Sequence, residues 1–116
     1  MCHYRHHAHD DPFFLPGLQD ITSHIDFSAV AEAASTVGLA LLGYGNQAQF
    51  LINCGITDLI APTPAHDTRA YLPLAAQVQK LTSPAEMGEL FKVIAIGKGV
   101  TQPLLGFRSG DKRHTL

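Results

Sequence analysis

Charge is scarce in this chain. Asp, Glu, Lys and Arg make up only 16% of its 116 residues, against roughly a quarter in an average globular protein. A surface so poor in charge points to area covered by a partner or by further polypeptide. No sign dominates either: 10 acidic and 8 basic residues leave a net charge of −2 with neutral histidines. Without a basic stripe, nucleic-acid binding has no electrostatic footprint. Cysteine is nearly absent. Cys2 and Cys54 form no CxxC pair, which fits free thiols in a reducing compartment and leaves one disulfide open. No apolar run reaches membrane-spanning length, and no membrane partner is expected. The opening Met1-Cys2-His3-Tyr4-Arg5 lacks an apolar core, so it does not read as a secretory signal. There is no GxGxxG after a strand, no P-loop, and no Ser or Cys in a nucleophile context.

What is present is a chain of single-domain size, 46% apolar, with 10 Gly and 7 Pro. Residues 2–6 suit a short strand. A polar loop with Pro12, Pro16 and Gly17 follows, then an extended stretch in which Ile21 and Ile25 flank Thr22-Ser23-His24. Asp26 is placed to cap a helix over 27–37, because its carboxylate can accept from free N–H groups of the first turn. Phe27, Val30, Ala31, Ala34 and Val37 then form one apolar stripe, and Gly38 stands where a left-handed residue ends a helix. The run 39–44 reads as a buried strand, Gly43-Tyr44-Gly45 as the turn at its end. Asn46 caps a helix over 47–54, ended by Gly55. A helix is expected over 71–81, with Pro73 tolerated only in its first turn. Ser83-Pro84-Ala85-Glu86 suits a short helical turn, 89–96 a strand, and 108–116 a loose polar tail. Helix followed by strand is an α/β pattern.

Histidine is the residue in excess. Four of seven fall between His3 and His9, among Asp10 and Asp11. His7-Ala8-His9-Asp10-Asp11 fits HxHxD, the start of a zinc-hydrolase motif, but the next residue is Pro12 rather than His. Outside this cluster only His24, His66 and His114 remain to complete a shell. His9-Asp10 also resembles the paired ligands of metal phosphohydrolases, which need further ligands on helices. Weak adventitious metal binding is a third reading. The plainest reading is a polar loop at the mouth of a larger site, and no metal site is assigned.

Three segments carry a family resemblance. Tyr4-Arg5-His6-His7 leads into Pro16-Gly17-Leu18-Gln19-Asp20-Ile21-Thr22-Ser23-His24-Ile25-Asp26-Phe27, which resembles PG..DLTAHVDF. Gln47-Ala48-Gln49-Phe50-Leu51 resembles Q..FL at a helix start. Ser83-Pro84-Ala85-Glu86-Met87-Gly88-Glu89-Leu90-Phe91-Lys92-Val93 resembles an MGE-F-V segment. In this order they resemble the C-terminal part of the MidA-type class I S-adenosylmethionine-dependent methyltransferases, a family with a mitochondrial arginine methyltransferase of complex I assembly.

The resemblance implies an α/β fold: the C-terminal portion of a Rossmann-like sheet with flanking helices, as one partial domain over 1–116. It implies that the glycine-rich S-adenosylmethionine site lies upstream, so that this stretch holds no cofactor ligand and has no activity alone. Ligands of doubly wound sheets bind outside the carboxyl ends of the strands. His7, Asp20, Thr22, His24 and Asp26 would then face the methyl acceptor, with no catalytic residue singled out. An arginine acceptor suits carboxylates, which pair bidentately with guanidinium. The implied partner is a protein substrate, such as a respiratory complex I subunit, in a bacterial cytoplasm or a mitochondrion. Each residue also has a plain reading: Asp26 as a cap, Asp20 and Thr22 as loop hydrogen-bonders, His24 as a structural histidine. Two other functions stand beside this one. The first is an inactive assembly module, and the second is the HxHxD hydrolase. A sheet edge left open would favour self-association.

Overall fold

A computed structural model describes residues 1–64 and 66–116. The N-terminal segment forms a three-stranded antiparallel sheet of order β2-β1-β3, with β1 at Cys2–Tyr4, β2 at His7–His9 and β3 at Asp20–Ile21. The sequence reading has a strand followed by loop here, and misses the hairpin. Its turn is Arg5-His6, with φ of 46° and 66°. Two positive φ values are what a two-residue hairpin turn requires, but Asn-Gly, the usual signal for it, is absent.

Helix α1 spans Phe27–Thr36, and the Asp26 carboxylate accepts from the Ala29 N–H at 3.1 Å. The expected stripe turns inward at Ala34, which is buried, while Val37 at the helix end is exposed. Gly38 has φ of 81°, as a helix-ending glycine should. Strand β4 follows at Ala40–Asn46, and Asn46 caps α2 at Gln47–Asn53, accepting from the Gln49 N–H at 2.8 Å. A short helix α3 at Ile56–Ile60 has no counterpart in the sequence reading. Helix α4 spans Thr68–Thr82, starting three residues before the expected position. Pro73 therefore lies in the second turn rather than the first, where it removes one intrahelical bond. Residues 83–90 form hydrogen-bonded turns rather than helix. Strand β5, Lys92–Gly97, pairs antiparallel with β4. Every strand pairing among the described residues is antiparallel, so this is a mixed α and β structure.

Two expectations change at β4. Gly43-Tyr44-Gly45 lies within the strand, not in a turn. A Cβ on Gly43 would sit 2.3 Å from the Phe107 ring, so the glycine is what lets the C-terminal segment approach the sheet. Where the sequence predicts a loose tail, residues 109–113 dock on the fold. Asp111 accepts from the Tyr44 N–H, the Lys112 N–H donates to the Tyr44 carbonyl at 2.6 Å, and Arg113 reaches the Leu42 carbonyl at 3.1 Å. Asn53 fastens the same segment to α2. Its amide donates to the Gly106 and Ser109 carbonyls, and its carbonyl accepts from Gln49 and the Ser109 hydroxyl.

Burial is shallow. Cys2, Ala34 and Ile56 are the buried apolar side chains, and no large side chain is fully buried among the described residues. The radius of gyration is 17.7 Å, whereas a compact chain of this length has about 13 Å. Both values agree with the scarcity of surface charge: this fold leaves apolar faces open.

Candidate functional site

The two sheets and the start of α1 enclose an open groove of about 590 Å³. Phe27 and Tyr44 form one wall, with ring centroids 5.2 Å apart. Leu90, Phe91 and Lys92 form a second, and Met1, His3 and residues 22–25 the third. The third wall is tied by backbone. The Met1 amino group donates to the Thr22 carbonyl at 2.6 Å, and the Thr22 N–H and hydroxyl donate to the Met1 carbonyl. Tyr44 reaches the groove because its neighbours in β4 are glycines packed under the C-terminal segment. The sequence reading passes over Tyr44 and Lys92; alternation along β4 and β5 is the signal that could have found them.

The five expected acceptor residues do not all meet. Thr22 and His24 line the groove. Asp20 pairs with His3 in the β1–β3 ladder, and directly opposed residues share a sheet face, so Asp20 flanks the groove on the same side as His3. Asp26 adjoins Phe27, and one carboxylate oxygen is engaged in capping α1. His7 pairs with Tyr4, the residue next to His3. Successive residues of a strand point to opposite faces, which puts His7 on the far side of the sheet. The lining contains Lys92 and no carboxylate.

The histidine stretch has local uses. The His9 Nδ1 accepts from the Asp11 N–H at 3.1 Å, and its ring stands edge-on to Phe14 at 5.3 Å. Among the described residues no three of His, Cys, Asp and Glu converge as a metal-binding group. None of the described helices is long and apolar enough to cross a membrane.

Known proteins share features with this chain. Residues 1–45 match the family described as "Putative S-adenosyl-L-methionine-dependent methyltransferase". No curated protein matches the chain. Among solved structures, a Burkholderia thailandensis protein with an inferred methyltransferase assignment, crystallised with S-adenosyl-homocysteine, is 58% identical over 100% of this chain, with a TM-score of 0.90. A second structure, of an uncharacterized protein of the same superfamily and organism, shows the same identity and TM-score. The chain covers 30% and 31% of these two relatives. The chain spans less than a third of the length of these relatives.

Proposed function

We propose that this chain forms the acceptor-side, C-terminal portion of a Rossmann-like methyltransferase of the MidA type, acting on arginine in a protein. One observation carries the reading: identity of 58% across the whole chain to a protein crystallised with S-adenosyl-homocysteine. The residues present do not fit the cofactor itself. The groove lining offers no carboxylate for ribose hydroxyls, and the β4 glycines are packed against Phe107 and the Gly110 carbonyl rather than opening onto a ligand. The cofactor is therefore assigned to residues outside this chain.

The groove holds the acceptor. Phe27, Tyr44 and Phe91 are apolar walls for the aliphatic stem of an arginine. Asp20 and Asp26, on the rim, pair with its guanidinium. His24 orients the acceptor nitrogen or takes its proton. Thr22 acts through structure, since its hydroxyl is already bonded to the Met1 carbonyl. His7, on the other face, has no part in this arrangement. By resemblance the acceptor is a protein of the respiratory complex I type, met in a bacterial cytoplasm or a mitochondrion.

A chimera tests the reading: this chain replaces the matched 30% of the Burkholderia protein. Transfer of a labelled methyl group to arginine is the expected result. His24→Ala should lower kcat by about 100-fold, and Asp20→Asn should raise KM for the acceptor. A folded chimera that methylates only other acceptors would refute the arginine assignment.

A further inference from the structure

Charge is unevenly placed along the chain. Residues 98–116 hold Lys98, Arg108, Lys112 and Arg113, half of the chain's 8 basic residues, but only Asp111 of its 10 acidic ones. An acidic body thus ends in a basic segment. Against β4 this segment encloses a cavity of about 250 Å³, which shares no lining residue with the groove. Leu42, Leu104 and Phe107 give the cavity an apolar lining, and Thr101, Gln102, Asp111 and Arg113 a polar one.

The polar lining has donors to spare. The Asp111 carboxylate is already occupied. One oxygen accepts from the Tyr44 and Arg113 N–H groups at 3.2 and 3.0 Å, and the other lies 3.1 Å from the Arg113 Nε. The Arg113 Nη1 donates to the Leu42 carbonyl at 3.1 Å. The Arg113 Nη2 has no acceptor among the described residues, and neither does the Thr101 hydroxyl. A guanidinium carries five N–H donors, so Arg113 is held in place by some of them while others stay free. Its side chain is 53% exposed, which leaves the free end open to a ligand.

We propose that this cavity binds a small aliphatic monocarboxylate, with its carboxylate on the Arg113 Nη2 and the Thr101 hydroxyl and its hydrocarbon against Leu42, Leu104 and Phe107. Size limits the ligand, because sites for drug-sized molecules have roughly 300–1,000 Å³. Charge sets its sign. Asp111 is matched by Arg113 and two backbone donors, so a single negative charge enters a basic segment and accepts charge-assisted hydrogen bonds. A dianion would bring a second charge against an apolar lining with no further cation to pair it. This site stands apart from the methyl-transfer reading and does not depend on it.

The test titrates hexanoate into the chain and follows backbone amide shifts. Saturable binding near roughly 1 mM is expected, with the shifts confined to residues 100–104 and 111–113. Hexan-1-ol, which keeps the hydrocarbon and lacks the charge, should bind about tenfold more weakly. Arg113→Gln should weaken hexanoate by a similar factor. Because that change also loosens the C-terminal segment, Thr101→Trp gives a second reading: this exposed substitution narrows the cavity and should abolish binding while leaving the melting temperature unchanged. Acetyl-leucine separates two sources of the same chemistry. Tighter binding of hexanoate assigns a free acid, and tighter binding of acetyl-leucine assigns the carboxyl end of a protein; either upholds the site. Equal binding of hexanol and hexanoate would overturn the proposal. So would tighter binding of inorganic phosphate, or hexanoate shifts centred on His3, Phe27 and Phe91 in the groove.

Discussion

Replacing Asn53 by alanine should unlatch the C-terminal segment. Asn53 is only 3% exposed. Its amide nitrogen donates to the Gly106 carbonyl at 2.9 Å and the Ser109 carbonyl at 2.8 Å, while its oxygen accepts from Gln49 at 3.2 Å and from the Ser109 hydroxyl at 2.8 Å. Both donor protons and both lone pairs are used, so this side chain is fully satisfied. A net hydrogen bond contributes about 1 kcal/mol, and orphaned buried carbonyls cost more than that average. Partial rehydration of the loosened segment offsets some of the loss, which gives about 3 kcal/mol of destabilisation. For a domain of this size the midpoint of thermal unfolding should fall by roughly 12 °C or more. Ser109→Ala should cost about 1 kcal/mol, because the Asn53 donors keep both carbonyls. Circular dichroism melts read the stability. Limited proteolysis within 104–116 reads the latch. A variant Asn53→Ala that melts within about 2 °C of the parent and resists proteolysis equally would refute this account of the segment.

Other perturbations follow the same geometry. Gly43→Ala puts a methyl group 2.3 Å from the Phe107 ring, and overpacking of this kind should cost about 1–3 kcal/mol in a denaturant titration. An unchanged midpoint would mean that Phe107 does not pack there. Asp26→Ala removes the cap of α1 and should cost about 1 kcal/mol, whereas Asp26→Asn should recover most of it; equal melts for all three proteins would contradict the capping role. Elemental analysis after dialysis against chelator should find sub-stoichiometric zinc, unchanged by the double substitution of His7 and His9. One zinc per chain, lost on that substitution, would restore the HxHxD reading.

The parts legible in the sequence are those fixed by local signals. Asp26 and Asn46 as caps, the stripe from Phe27 to Ala34, Gly38 past the helix end and the apolar run of β4 all carry their conformation in neighbouring residues. What was not legible depends on contacts distant along the chain. The Arg5-His6 turn holds two positive φ values without glycine. Such a turn is stable only because β1 pairs with both β2 and β3. Gly43 and Gly45 read as a turn because their reason for being glycine lies some 65 residues later, at Phe107 and Gly110. The tail read as loose for the same reason: Asp111 and Arg113 look like surface charges until β4 is beside them. The acceptor residues divide similarly. Thr22 and His24 reach the groove together because they are neighbours in one extended segment. His7 falls on the opposite face because the position of the hairpin turn sets its parity.

We propose above that this chain is a methyltransferase portion whose cofactor site lies outside it. Calorimetric titration of S-adenosyl-homocysteine tests it most directly, into the chain alone and into the chimera with the rest of the Burkholderia protein. The account predicts no binding heat from the chain and micromolar binding by the chimera, an affinity of about −8 kcal/mol. Saturable binding by the chain alone, or a folded chimera that binds nothing, would contradict it.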